Sequence, residues 1–62
     1  MITRLYAVKD NVCGINAEDK KGKIICHFVG DYVTYDDDGH TYIHGENGIV
    51  GYIPYKVTFE LI

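Results

Sequence analysis

The residues that favour an extended backbone dominate this chain. Of its 62 residues, eight are Ile, six Val, four Thr, six Tyr and two Phe, against two Leu, two Ala, one Met and no Gln. β-Branched and aromatic side chains lose rotamer freedom on a helix but fit a pleated, half-buried surface. The strong helix formers are scarce. Seven glycines punctuate the chain every several residues, as a series of short strands requires. The expected fold class is all-β.

Length and charge narrow the function classes. A chain this short buries only about 60% of the surface its unfolded form exposes. One core is therefore expected, in a single domain over residues 1–62. With 47% hydrophobic residues and a formal net charge of −3, the composition is unlike that of a disordered segment. No apolar run approaches the roughly 18 residues of a membrane helix. The first six residues carry neither the apolar stretch nor the small-residue cleavage site of a secretory signal. A cytoplasmic location with no membrane partner is the expectation. A dinucleotide-binding domain, a barrel enzyme or a kinase would not fit in this length. So small a chain with its own initiating Met suits a phage or mobile-element accessory protein acting on a host protein.

Along the chain, residues 2–9 are expected as a first strand, with Leu5 and Ala7 on one face and Tyr6 and Val8 on the other. Residues 10–22 read as a long loop partly tucked in by Val12, Cys13 and Ile15, returning through Asp19-Lys20-Lys21-Gly22. Ile24-Ile25-Cys26-His27-Phe28-Val29 is the most apolar run. Gly30-Asp31 leads tightly into Tyr32-Val33-Thr34-Tyr35, and Asp36-Asp37-Asp38-Gly39 forms an acidic turn. His40-Thr41-Tyr42-Ile43-His44 and Ile49-Val50-Gly51-Tyr52-Ile53 flank Gly45-Glu46-Asn47-Gly48, where Asn-Gly predicts a type I′ hairpin. Pro54 lacks a backbone donor and should end its strand. Tyr55-Lys56 is expected as one helical turn and residues 57–62 as a closing strand. Five to six short antiparallel strands at this spacing favour a small barrel, because closure removes exposed edges.

Gly30-Asp31, Asp38-Gly39, Asn47-Gly48, Gly51-Tyr52-Ile53-Pro54 and the terminal Glu60-Leu61-Ile62 follow one another in an order similar to that of an SH3 domain, closer to the bacterial SH3-type modules than to the eukaryotic signalling ones. Arg4-Leu5-Tyr6-Ala7-Val8 sits where the first strand of such a domain lies. The resemblance covers mainly residues 23–62 and implies an SH3-like small barrel that binds a partner through its surface. His40-Thr41-Tyr42 stands where those domains carry an aromatic pair, and the chain has no Trp. Of the groove that holds polyproline ligands, only Pro54, Tyr6 and Tyr55 carry over.

Candidate reactive groups give little support to chemistry. Cys13 and Cys26 lack the Cys-x-x-Cys spacing of a zinc site and read as reduced thiols. His40 and His44 would share one strand face but lie about 13 Å apart, too far for a common ion. Cys26 and His27 are strand neighbours and point to opposite faces, so they do not make a nucleophile and base. Asp36-Asp37-Asp38 lacks the alternating ligands and closing Glu of a calcium loop. It reads as a solvated turn, or as a negative patch for a basic partner. No enzyme, cofactor or metal is expected. A sequence pI near 5.4 disfavours nucleic acid, although Lys20, Lys21 and Lys23 form a small basic loop.

The tyrosines remain. Six are too many for so small a core, and Tyr offers a large rigid contact area with a polar tip. The expected site is a protein-binding surface drawn from Tyr6, Tyr35, Tyr42, Tyr52, Pro54 and Tyr55, belonging to a non-catalytic adaptor or inhibitor whose protein partner the sequence does not identify. Two alternatives stand beside it. One is a structural subunit completing a complex or homo-oligomer, and the other is a small nucleic-acid-binding barrel.

Overall fold

Strict two-residue alternation builds the core. The computed structural model describes residues 1–9 and 14–62, so the expected tucking of Val12 and Cys13 lies outside the described residues. In β1 (Arg4–Ala7), Leu5 and Ala7 are buried while Arg4 and Tyr6 are half-buried on the other face. β2 (Ile15–Glu18) repeats the pattern with Ile15 and Ala17 inside. The remaining strands are β3 (Ile24–Phe28), β4 (Tyr32–Tyr35), β5 (Thr41–Gly45), β6 (Gly48–Ile53) and β7 (Thr58–Leu61). The chain is all-β as expected. Seven described strands replace the five to six anticipated, because residues 15–18 form a strand inside the segment read as a loop.

The strands form two sheets, one ordered β3-β2-β1-β7 and the other β4-β5-β6. Neither closes into a barrel among the described residues. The all-antiparallel expectation is corrected. β1 and β7 run parallel, with Leu5 opposite Phe59, and Ile62 N–H donates to Ala7 O at 2.8 Å just beyond the pair. Both termini are thereby held in one sheet. Arg4 reinforces it, reaching Glu18 on β2 at 3.4 Å and Glu60 on β7 at 3.1 Å.

Between the sheets lie Leu5, Ala7, Ile15, Ala17, Ile43, Ile53 and Val57, with Ile2, Phe28, Val33, Tyr55 and Phe59 packed around them. Each large aliphatic side chain fully buried there contributes about 1.5–3 kcal/mol. Thr41 is the buried polar residue of this core. Its hydroxyl donates to Tyr55 O at 2.8 Å and accepts from Val57 N–H at 3.0 Å, fixing the connection from β6 to β7. That connection is a bend at Pro54 and Tyr55, not the helical turn expected for Tyr55-Lys56. β6 does end at Ile53, as Pro54 requires.

The β5–β6 hairpin also departs from its expected form. Gly45 pairs with Gly48, so Glu46 and Asn47 are the two central residues, and neither has positive φ. The positive φ falls on Gly48 at 127°, and a bulge follows where the register shifts between Ile43 and His44. Val50, between Ile49 and Gly51, is the extra residue of that bulge. At Gly51 the requirement is space. A Cβ there would meet Phe28 Cε1 at 2.8 Å and Ile43 Cδ1 at 2.9 Å, so the missing side chain lets the Phe28 ring lie against β6.

Candidate functional site

Register and burial together decide which side chains share the open face of the three-stranded sheet. Thr41 and Ile43 are fully buried, so the odd positions of β5 point inward and Tyr42 and His44 point outward. Residues directly opposite in an antiparallel pair lie on the same face. Tyr32 is opposite His44, Thr34 is opposite Tyr42, and Tyr42 is opposite Tyr52. Tyr32, Thr34, Tyr42, His44 and Tyr52 therefore form one outward surface.

These groups touch. Tyr32 and His44 stack with ring centroids 4.6 Å apart and planes 4° from parallel. Tyr52 contacts Tyr42 at 5.4 Å and His40 at 5.7 Å in tilted arrangements. Such ring pairs add about 0.5–1.5 kcal/mol beyond their area. Their polar tips are held as well, since His44 Nε2 and Thr34 Oγ1 share a hydrogen bond of 2.7 Å. Tyr32 and Tyr52 nonetheless stay 53% and 54% exposed, which leaves their ring area available to a partner.

One end of this face is fastened by Asp36. Its Oδ1 accepts from the N–H groups of Asp38 at 3.0 Å and His40 at 2.9 Å, which closes the acidic turn. Its Oδ2 accepts from the Tyr42 hydroxyl and from His40 Nδ1, both at 2.8 Å. The His40 N–H, followed by the Tyr42 hydroxyl and the His40 ring, outweighs partial burial and holds the Asp36 carboxyl well below the usual carboxylate range. The same bond raises the Tyr42 phenol above its ordinary value, with desolvation adding to it. Asp36, Asp38 and His40 also bring potential metal-ligand atoms within 4.8 Å of one another. Four donors already occupy the roughly four lone-pair positions of the Asp36 carboxylate, so the cluster is explained as the frame of the turn.

Charge is sorted between the two sheets. Residues 30–53 carry Asp31, Asp36, Asp37, Asp38 and Glu46 and no Lys or Arg, a formal charge of −5. The rest of the chain has all six Lys and Arg against four carboxylates, a formal charge of +2. Asp31 precedes β4, Asp36 to Asp38 join β4 to β5, and Glu46 lies between β5 and β6. The aromatic strands are thus flanked by acid at both ends.

The residues expected from the sequence divide between roles. Tyr42 and Tyr52 are brought together on this face. Tyr35 alternates with them. It is opposite the buried Thr41, donates its hydroxyl to Val57 O, and lies 5.3 Å beneath Lys56 Nζ. Tyr55 packs on the core and accepts the Ile2 N–H at 2.9 Å. Tyr6 belongs to the four-stranded sheet, 4.8 Å below the Arg4 guanidinium, and Pro54 is exposed at the bend after β6. Tyr32, His40 and His44 were absent from the expected set. Their signal was the alternation Tyr32, Thr34 against Val33, Tyr35, read together with the absence of Lys and Arg around it. A cleft of about 380 Å³ lined by Met1, Thr3, Asp19, Lys20 and Lys21 shares no residue with the aromatic face.

No family model, curated protein or solved structure matches the chain. Among the described residues no helix is long and apolar enough to cross a membrane.

Proposed function

We propose that this chain is a non-catalytic protein-binding module, an adaptor or inhibitor, whose working surface is the outer face of β4, β5 and β6. Its partner presents Arg or Lys side chains. The observation that carries this reading is the pairing of an exposed, braced Tyr and His surface with a segment, residues 30–53, whose five carboxylates are joined by no Lys or Arg. Aromatic faces attract guanidinium and ammonium groups, and the carboxylates add complementary charge that steers encounter. Hydrogen bonds to Asp36 and Thr34 hold the rings in place, so little side-chain entropy is lost on contact. The same carboxylates repel phosphate, which places nucleic acid second. The SH3-like small barrel belongs to this proposal as the fold type. It is supported by the tight Gly30-Asp31 entry into β4, the β5–β6 hairpin, and the joining of the first and last strands.

Calorimetric titration with a synthetic arginine-rich peptide tests the reading. The wild-type protein binds, and Tyr32→Ala with Tyr52→Ala weakens binding by about tenfold or more. Equal affinity in the double variant contradicts the proposal. So does tighter, steeply salt-dependent binding of a single-stranded oligonucleotide, which would favour the nucleic-acid alternative.

A further inference from the structure

A second surface lies on the other sheet and is independent of the aromatic face. β3 forms one edge of the sheet β3-β2-β1-β7. Although it belongs to the most apolar run of the chain, Ile24 is 51% exposed, Ile25 42%, and Val29, just beyond it, 70%. Cys26 is an exposed free thiol. The run carries no Lys, Glu or Pro of the kind that normally blunts an edge, and its one protective feature is the bulge at Ile25.

The hydrogen-bonding direction of each β3 residue follows from its neighbours. Glu18 O accepts from Thr3 N–H on the β1 side, whereas Asp19 N–H donates to Lys23 O on the β3 side. Ile15 and Ala17 therefore face β3 with their backbone groups, and Phe28 and Cys26 opposite them face back. The alternation leaves the backbone N–H and C=O of His27 pointing away from the sheet, and the bulge interrupts it at Ile25.

We infer that this edge pairs antiparallel with the β3 edge of a second copy, with Cys26 opposite its own counterpart on the two-fold axis. In that register the outward His27 N–H of each copy reaches the other strand beside Ile25, once on each side of the axis. Cys26 occupies the intervening non-hydrogen-bonded position, where opposed Cα atoms lie about 4.5 Å apart, within disulfide range. Charge complementarity selects a second copy as the occupant. Lys20, Lys21 and Lys23 precede β3 and Asp31 follows it, so antiparallel pairing brings each basic turn toward the Asp31 end of the other copy.

Sedimentation under reducing conditions, combined with amide hydrogen exchange, tests this. The protein sediments at twice its 7.0 kDa mass at high concentration and dissociates on dilution. The His27 amide exchanges about tenfold more slowly in the concentrated sample. Ile25→Lys, an edge lysine, yields a monomer. As a second readout, the Cys13→Ser chain keeps Cys26 as its sole thiol. On treatment with diamide, two such thiols give up two protons and two electrons to the reagent and form a disulfide-linked dimer. A wild-type monomer at all concentrations overturns the inference. So does a dimer without a slowed His27 amide, or an absence of cross-linking at Cys26.

Discussion

The Tyr42 hydroxyl donates to Asp36 Oδ2 at 2.8 Å, joining the middle strand of the aromatic face to the carboxylate that closes the β4–β5 turn. One carboxylate thus sets both the shape of the turn and the position of a ring on the proposed binding surface. The fold favours its ionised form because four donors converge on it. A carboxyl group whose folded-state pKa is depressed contributes stability that is fully present above its unfolded pKa. That stability is lost as pH falls through the folded value.

The first expectation concerns acid. Wild-type protein keeps the Asp36 contribution down to the ordinary Asp value of 3.8 and loses it progressively below that pH. Asp36→Asn is less stable at neutral pH and has a shallower acid slope. Thermal melts of both proteins across the acid range check this, and parallel profiles would refute it. The Tyr42 phenol, held above the ordinary value of 10.0, should titrate lower in the Asn variant, as tyrosinate absorbance or NMR will read.

Thr41 offers a test of the core. Its hydroxyl serves a buried donor and an acceptor at once, Val57 N–H and Tyr55 O. Thr41→Val keeps the shape but leaves both backbone groups without this partner. It should destabilise the protein by about 1–3 kcal/mol in urea unfolding. Thr41→Ser retains the hydroxyl and should cost less, so an equal loss in the two variants would point to packing instead.

Gly51 tests the contact between the sheets. Gly51→Ala forces a methyl group against Phe28 and Ile43 and should cost about 1–3 kcal/mol, with shifted Phe28 ring resonances. A neutral substitution would show that the Phe28 ring is free to move aside.

Much of the fold was legible where one rule acted alone. Leu5 and Ala7 alternate with Tyr6, and the structure buries the first two. Pro54 stops β6, and Gly39 takes its positive φ of 81° at the end of the acidic turn. Competing signals hid the rest. Ile15-Asn16-Ala17-Glu18 alternates strictly but is short and bracketed by turn residues, so its local composition resembles a loop. Asn47-Gly48 favours a type I′ turn in isolation, yet the pairing of Gly45 with Gly48 moves the turn one residue earlier and makes Gly48 the first residue of β6. In β3, apolarity and burial part company because an edge strand has a neighbour on one side only.

For the candidate site, tyrosine abundance points to an aromatic surface without saying which rings share a face. Tyr35 and Tyr42 look alike in the sequence, but seven positions apart on adjacent strands they point to opposite faces. Only the register assigns one to bracing Val57 and the other to the open surface. The histidines look unconnected in the sequence because the turn brings Asp36 to His40 and strand pairing brings Thr34 to His44.

Backbone and side-chain NMR shift mapping during titration with the arginine-rich peptide tests the central claim most directly. The account predicts perturbations centred on Tyr32, Tyr42, His44 and Tyr52, extending to the acidic turn at Asp36 to Asp38, with residues 20–23 unaffected. Perturbations that avoid the β4–β6 face, or that gather on the Arg4, Glu18 and Glu60 side of the other sheet, would contradict it.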